Sequence, residues 1–271
     1  MGRATFTSCW WARMENPLKK GWGEGRAAFG LWSVVPGSFG AEVLGRAGAD
    51  YVCVDQQHGL IGYDAMLPML QTAGAAGSAP ITRVLQNDAG LIGKSLDAGA
   101  WGVIVPLVNS AEEAAQAVAA CRYPPNGIRS YGPIRASGVV GSGDPEDLER
   151  EALCLVMVET RQALERVDEI AATTGLDGIY IGPSDLALSL GLAATLEVTE
   201  KEHVDAVRRI RETCQRHGIV SGIHSSSGDW ARRHVEAGFD MVTVATDSSL
   251  LAGAAHTELA EARARNAAGT A

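Results

Sequence analysis

Lysine is nearly absent from this chain: Lys19, Lys20, Lys94 and Lys201 are the only four in 271 residues. None falls in a stretch that reads as a strand, so nothing places an amine in a cleft for Schiff-base chemistry. The five cysteines (Cys9, Cys53, Cys121, Cys154, Cys214) form no C-x-x-C pair. Cys53 and Cys154 lie inside apolar runs and read as reduced core thiols of a cytoplasmic protein. No apolar run approaches the roughly 18 residues that a membrane span requires. There is no G-x-x-x-x-G-K-[ST], which argues against nucleotide phosphoryl transfer, and no G-x-S-x-G serine elbow. Positive charge is scarce, and the formal net charge of −9 speaks against a nucleic-acid surface or an anionic membrane. It does not exclude an anionic small molecule, since a few local cations can outweigh a distant field. Residues 1–13 hold Trp10-Trp11 but no apolar core of a secretory signal. They read as an upstream extension or disordered tail.

What the chain does contain is alternation. Eight short apolar runs read as strands: Phe29–Val35, Tyr51–Asp55, Ile81–Val84, Gly102–Leu107, Leu153–Glu159, Gly178–Ile181, Ile219–His224 and Met241–Ala245. Their continuous apolar character suits strands covered on both faces, as in a parallel sheet. Helical patterns follow them over Gly40–Ala47, Tyr63–Ala75, Asp88–Ala98, Ser110–Cys121, Arg161–Thr173, Glu200–His217, Asp229–Ala237 and Ser248–Asn266. Ser110-x-x-Glu113 reads as a capping box. The phrases Ala47-Gly-Ala-Asp50, Ala98-Gly-Ala-Trp101, Thr174-Gly-Leu-Asp177 and Ala237-Gly-Phe-Asp240 each place a left-handed glycine between a helix and the next strand. Eight such units predict a single-domain α/β fold, a (β/α)₈ TIM barrel over 29–271, with 1–28 as an N-terminal extension. A doubly wound open sheet is the alternative, but no G-x-G-x-x-G follows the first strand. Arg122–Arg150, rich in Gly, Pro and Ser, reads as one long functional or interfacial loop.

Side chains at the C-terminal ends of barrel strands converge on one mouth. Glu159 and Asp185 close successive apolar runs, a placement that suits two hard oxygen ligands on a divalent cation. Either acid could instead cap a helix, Asp185 especially, ahead of Leu186-Ala-Leu. Their pairing on consecutive strands favours the metal. His58 can take a hydroxyl proton at neutral pH, with Asp55 or another acid holding its tautomer; otherwise it is a plain loop histidine. Arg83 would face a substrate carboxylate or enolate, or else a neighbouring acid. His224 reads equally as mouth-lining or structural. His203, His217, His234 and His256 fall in helical segments and read as solvent-facing. Asp97, at a helix end, reads as structural by position alone. With no strand lysine, carbonyl chemistry here would need a metal as electron sink.

Several phrases together resemble the HpcH/HpaI family of class II, metal-dependent pyruvate aldolases. They are Gly30-Leu-Trp-Ser33, Val54-Asp-Gln-Gln-His-Gly59, Pro80-Ile-Thr-Arg-Val84, Asn87-Asp88, Leu96-Asp-Ala-Gly-Ala100, Val105-Pro-Leu-Val108, Arg122-Tyr-Pro-Pro-Asn-Gly-Ile-Arg129, Val158-Glu-Thr160 and Ile181-Gly-Pro-Ser-Asp-Leu186. The resemblance runs from about Gly30 to Leu259. It implies a lyase that cleaves or forms a C–C bond between a pyruvate or hydroxypyruvate enolate and an aldehyde, acting on 4-hydroxy-2-oxo acids. It implies Mg²⁺, Mn²⁺ or Co²⁺ on Glu159 and Asp185, Arg83 on the enolate oxygen, His58 as base paired with Asp97, and Asp55 beside them. Substrate contacts are implied for Arg83, Gln57 and the Gly182-Pro183-Ser184 turn. It also implies a homo-oligomer, a hexamer built as a trimer of dimers, with C-terminal helices exchanged. Gln57, Met157, Ser184 and Ser130 depart from residues common in that family (Glu, Gln, Ala and Gly respectively), which leaves the acceptor aldehyde open. The alternative on the same barrel is a citrate-lyase-β-like acyl-CoA lyase, disfavoured because no Lys/Arg cluster stands ready for CoA phosphates.

Overall fold

A computed structural model describes residues 14–267; the expected tail over 1–13 lies outside the described residues. Eight parallel strands close into a barrel in sequence order. They are β1 Ala28–Ser33, β2 Tyr51–Asp55, β3 Ala79–Arg83, β4 Gly102–Val105, β5 Leu153–Val158, β6 Gly178–Ile181, β7 Val220–His224 and β8 Met241–Thr246. Around and between them run α1 Pro17–Gly23, α2 Ser38–Arg46, α3 Tyr63–Ala75, α4 Ala89–Asp97, α5 Ala111–Cys121, α6 Ala136–Val140, α7 Pro145–Glu151, α8 Arg161–Glu165, α9 Val167–Ala171, α10 Pro183–Ser189, α11 Lys201–His217, α12 Gly228–Glu236 and α13 Asp247–Ala267. Each expected strand is present, displaced by at most two residues at its start or end. The linking glycines Gly48, Gly99, Gly175 and Gly238 all hold positive φ. Ser110 caps α5 by accepting from the Glu113 amide at 3.2 Å; Glu113 accepts from the Asn109 amide at 2.6 Å, one residue beyond the N-cap amide that the usual box engages. Among the described residues, no helix is long and apolar enough to cross a membrane.

Strand side chains alternate, so every second residue enters the barrel. That inward set includes Trp32, Tyr51, Cys53, Ile81, Ile104, Leu155, Met157, Tyr180 and Met241, packed as one cluster. The Tyr51 and Tyr180 hydroxyls both meet the Thr243 hydroxyl, at 2.8 and 2.6 Å, so their polar ends are satisfied in the dry interior. Room for the Tyr51 ring comes from Gly30, where a Cβ would lie 2.1 Å from it. The outer faces of the strands meet the helices in two further apolar clusters.

Three sequence expectations need correction. Arg122–Arg150 is not one loop but carries α6 and α7, the latter capped by the Asp144 side chain on the Glu146 amide at 2.9 Å. The helical run Arg161–Thr173 breaks into α8 and α9 at Arg166. His203 and His234 are buried, not solvent-facing, and burial pushes both imidazoles down, His234 to about 4. Within the leading segment, α1 packs Leu18 under the barrel, and its cap Asn16 donates to the Trp101 and Glu151 carbonyls at 3.0 and 2.7 Å. At the other end, α13 is exposed from Ser248 to Ala264. Its first residue is tied in: Asp247 accepts from the Val34 and Val35 amides at 3.0 and 3.1 Å.

Candidate active site at the C-terminal mouth

The inward alternation, carried to the last inward residue of these strands, delivers Trp32, Asp55, Arg83, Met157, Tyr180 and His224 to one end of the barrel. They line a cavity of about 240 Å³ together with His58, Gly182, Pro183, Ser184 and Asp185. The β2–β3 register sets Asp55 beside Arg83. Their side chains meet as a fork, Nε to Oδ1 at 2.8 Å and Nη2 to Oδ2 at 2.5 Å. Burial alone would raise the Asp55 carboxyl, but the Arg83 hydrogen bonds and charge outweigh it and hold Asp55 below the usual carboxylate range. Asp55 Oδ1 also accepts from the Gln57 and His58 amides at 2.9 and 3.3 Å. The buried acid thereby fixes the turn that carries His58 to the lip.

Both readings of Arg83 find support in different parts of its guanidinium. One edge is an ion pair with Asp55. The remaining nitrogen, Nη1, meets only the Met157 sulfur at 3.8 Å, a weak acceptor. The Trp32 ring lies 5.1 Å from Cζ and holds the plane by cation–π contact. Nη1 is thus a strong donor without a strong acceptor, in a pocket where such a group attracts an anionic oxygen.

Neither acid caps a helix. Thr160 caps α8, accepting from the Ala163 amide, and the α10 cap position is Gly182, which leaves Asp185 in the first turn. Glu159 is buried, and its Oε1 accepts from the Leu107 amide at 2.8 Å. Leu107 holds φ of +54° to aim that amide, a left-handed conformation that costs a residue with a Cβ about 1 kcal/mol or more. Gly182 lets the carboxylate in, since a Cβ there would stand 2.3 Å from Glu159 Oε2. Burial, with the nearby Asp185 charge adding to it, pushes Glu159 up to about 7 despite the Leu107 amide and the Arg83 charge.

The expected residues do not all converge. His58 is exposed at the lip, and its ring meets no hydrogen-bonding partner among the described residues; Asp55 touches the His58 backbone rather than its imidazole. The Gln57 side-chain oxygen is buried without a partner, and Gln57 is not among the residues that line the cavity. Asp97 is the last residue of α4, and helices of a (β/α) barrel end at the rim opposite the mouth. There it pairs with Arg129 at 2.6 Å, so within one chain it does not reach His58. His224, left open by the sequence, does line the cavity, edge-on to Trp32 at 5.1 Å between centroids. Burial and the Arg83 charge push it down to about 4, so it is neutral at physiological pH. Leu196, from the loop after α10, is a wall residue that no periodic pattern singled out.

The HpcH/HpaI aldolase/citrate lyase family profile matches residues 29–254. This chain belongs to the HpcH/HpaI aldolase/citrate lyase family. A hydroxypyruvate/pyruvate aldolase of Rhizorhabdus wittichii is 42% identical over 249 residues, covering 92% of this chain and 99% of the relative. A 4-hydroxy-2-oxo-heptane-1,7-dioate aldolase of Escherichia coli is 36% identical over 247 residues, covering 89% and 93%. Among solved structures, an HpcH/HpaI aldolase/citrate lyase family protein from Burkholderia cenocepacia J2315 superposes with a TM-score of 0.85 at 30% identity, over 92% of this chain and 99% of that one.

HpcH/HpaI aldolases are in general dependent on a divalent metal. No cluster of three or more His, Cys, Asp or Glu side chains that could hold a metal occurs among the described residues. A pair of acids is what hard, octahedral cations use when substrate and water complete the shell. The donor set fits such an ion: both groups are oxygen donors, Glu159 has no cationic side chain bonded to it, and Gly182 keeps its Oε2 clear.

Proposed function

We propose that this chain is an aldehyde-lyase that cleaves 4-hydroxy-2-oxo acids to pyruvate, or hydroxypyruvate, and an aldehyde, and runs the reverse addition. The observation that carries the reading is that Asp185 and Arg83, whose Nη1 has no strong acceptor, line one small cavity, with Glu159 Oε2 close against the Gly182 of its wall. Glu159 and Asp185 would hold Mg²⁺, Mn²⁺ or Co²⁺, which when bound supplies a Lewis acid for the 2-oxo acid. Arg83, rigidly held by Asp55, directs Nη1 at the C2 oxygen. His58 takes the proton of the C4 hydroxyl. As the C3–C4 bond breaks, its electron pair moves into the C2–C3 bond and the carbonyl pair moves onto the C2 oxygen. The aldehyde departs, and C3 of the enolate takes a proton to give the 2-oxo acid. Charge grows where the guanidinium already points, so the stabilisation increases toward the transition state. The Gly182-Pro183-Ser184 turn forms the wall beside the acids and contacts the substrate there.

Exchange of pyruvate C3 protons in D₂O tests this without knowing the aldehyde. It should proceed with added Mg²⁺ or Mn²⁺ and stop with EDTA. Exchange that EDTA leaves intact, or none with any of the three metals, would remove the metal-enolate reading.

The resemblance pairs His58 with Asp97, which sit at opposite ends of one barrel. That pairing therefore needs a second copy, and the exposed α13, with Leu250, Leu251 and Leu259 uncovered, offers a surface for exchange between copies. A homo-oligomer, a trimer of dimers, satisfies both. Light scattering that gives a monomer would sink the pairing. Cys53, Cys121, Cys154 and Cys214 are buried and free, in keeping with a reducing, cytoplasmic compartment.

A further inference from the structure

We propose that His224 is a specificity-determining residue of the donor half of this site: its imidazole hydrogen-bonds a hydroxyl on C3 and so favours 3-hydroxylated 2-oxo acids over pyruvate. The inference rests on the aldolase reading above and adds which of its two donors the site is built for. Hydroxypyruvate and pyruvate carry the same carboxylate and the same C2 oxygen, so neither Arg83 nor a bound cation tells them apart. They differ by one neutral hydroxyl. A neutral side chain that can both donate and accept is the kind of group that reads such a difference.

The two halves of the site differ in what encloses them. His58, which takes the proton of the C4 hydroxyl, is exposed at the lip, where a second copy would bring Asp97 and the Arg129 bonded to it. The aldehyde half is therefore shared between copies. His224 belongs to the other half. It is the last residue of β7, half-buried inside the barrel, with its ring edge-on to Trp32 at 5.1 Å between centroids. Arg83, whose Nη1 serves the C2 oxygen, stacks on the same Trp32 ring with Cζ 5.1 Å from the centroid. Its charge reaches His224 and, after burial, is what pushes that imidazole down to about 4. His224 is thus a near neighbour of the donor's C2, and C3 lies one bond further on.

Other polar groups of the wall are already engaged. The Tyr180 hydroxyl meets that of Thr243 at 2.6 Å, and the Thr246 hydroxyl donates to Ser249 Oγ at 2.9 Å. Asp55 is taken up by Arg83, and Ser184 stands in the turn beside the acids. The His224 imidazole makes no hydrogen bond among the described residues. Neutral at working pH, it offers the cavity one N–H donor and one bare nitrogen. A methyl group at C3 would displace water from that ring and return no hydrogen bond, whereas a hydroxyl takes the place of the water.

The test uses full-length protein with Mn²⁺ and propanal, and compares hydroxypyruvate with pyruvate as donor. The kcat/KM for hydroxypyruvate should exceed that for pyruvate by roughly tenfold. His224→Phe keeps an aromatic ring against Trp32 but loses both nitrogens, and should lower that ratio by about tenfold. The ratio of the two dissociation constants, measured by calorimetry without aldehyde, should shift in the same direction. His224→Gln keeps a donor and an acceptor and should retain most of the preference. His224→Leu replaces the Phe variant if that one does not fold. A wild-type preference for pyruvate, a ratio unmoved by loss of the imidazole, or a ratio that falls as far in the Gln variant as in the Phe variant overturns the proposal. Metal-dependent pyruvate exchange in the wild-type protein separates the two levels: exchange with an unmoved ratio removes the His224 assignment alone, whereas absence of exchange removes the aldolase reading and this inference with it.

Discussion

Glu159→Gln should abolish metal-dependent pyruvate exchange and, in EDTA, make the protein more stable than wild type above about pH 7. Both effects have one cause. The folded chain buries a carboxylate next to a second acid and moves it from an ordinary glutamate value of 4.5 to about 7. A folded-state value above the unfolded one means that the native state binds the extra proton between those limits. Stability of the metal-free protein therefore falls as pH rises from about 4.5, and the loss is complete above about 7, where it amounts to roughly 3 kcal/mol. Gln keeps an oxygen for the Leu107 amide, removes the charge, and does not titrate. Denaturant unfolding in EDTA should give matching stabilities at about pH 4 and a gap of up to roughly 3 kcal/mol in favour of the variant at about pH 8. Added Mn²⁺ should stabilise only the wild-type protein, because binding to the native state adds to its stability by mass action. A variant that is less stable at high pH, or that still gains from Mn²⁺, would show that Glu159 is not a metal ligand held at a cost to the fold.

That cost explains which parts of the site are legible in the sequence. Strand ends are readable because apolar runs stop at them, so Asp55, Arg83, Glu159 and His224 can all be assigned to the mouth from the sequence. The Asp55–Arg83 fork follows from register, since neighbouring parallel strands of equal length bring their last residues together. Contacts between non-adjacent strands carry no such signal. Met157 reaches Arg83 across the barrel from β5, and Trp32 stacks on it from β1. Asp97 is legible only through the resemblance, because its partner within the chain, Arg129, comes from the irregular stretch after α5. The short helices escape the sequence for a different reason. α1, α6 and α7 span two turns or fewer and cannot display a periodic apolar face. Yet Asn16-Pro17 and Asp144-Pro145 each place a cap residue ahead of a proline at the first helical position, a start signal present for two of them.

Arg83 offers the sharpest separation of structure from chemistry. Asp55→Ala leaves a buried guanidinium without its carboxylate, which should destabilise the protein by about 3–5 kcal/mol and lower kcat as the fork loosens. Arg83→Lys keeps the charge but cannot make two parallel bonds to Asp55 while donating to a third oxygen, so kcat for pyruvate exchange should fall roughly 10²- to 10³-fold with a smaller loss of stability. The deciding measurement is the double variant Asp55→Ala/Arg83→Met. Removing both charges leaves neither one buried alone, so the stability lost in Asp55→Ala should largely return. Activity should not. If the pair served only to hold β2 against β3, a double variant with restored stability would regain turnover as well. Its failure to do so, with unfolding midpoints back near wild type, would place the Arg83 guanidinium at the developing negative charge itself.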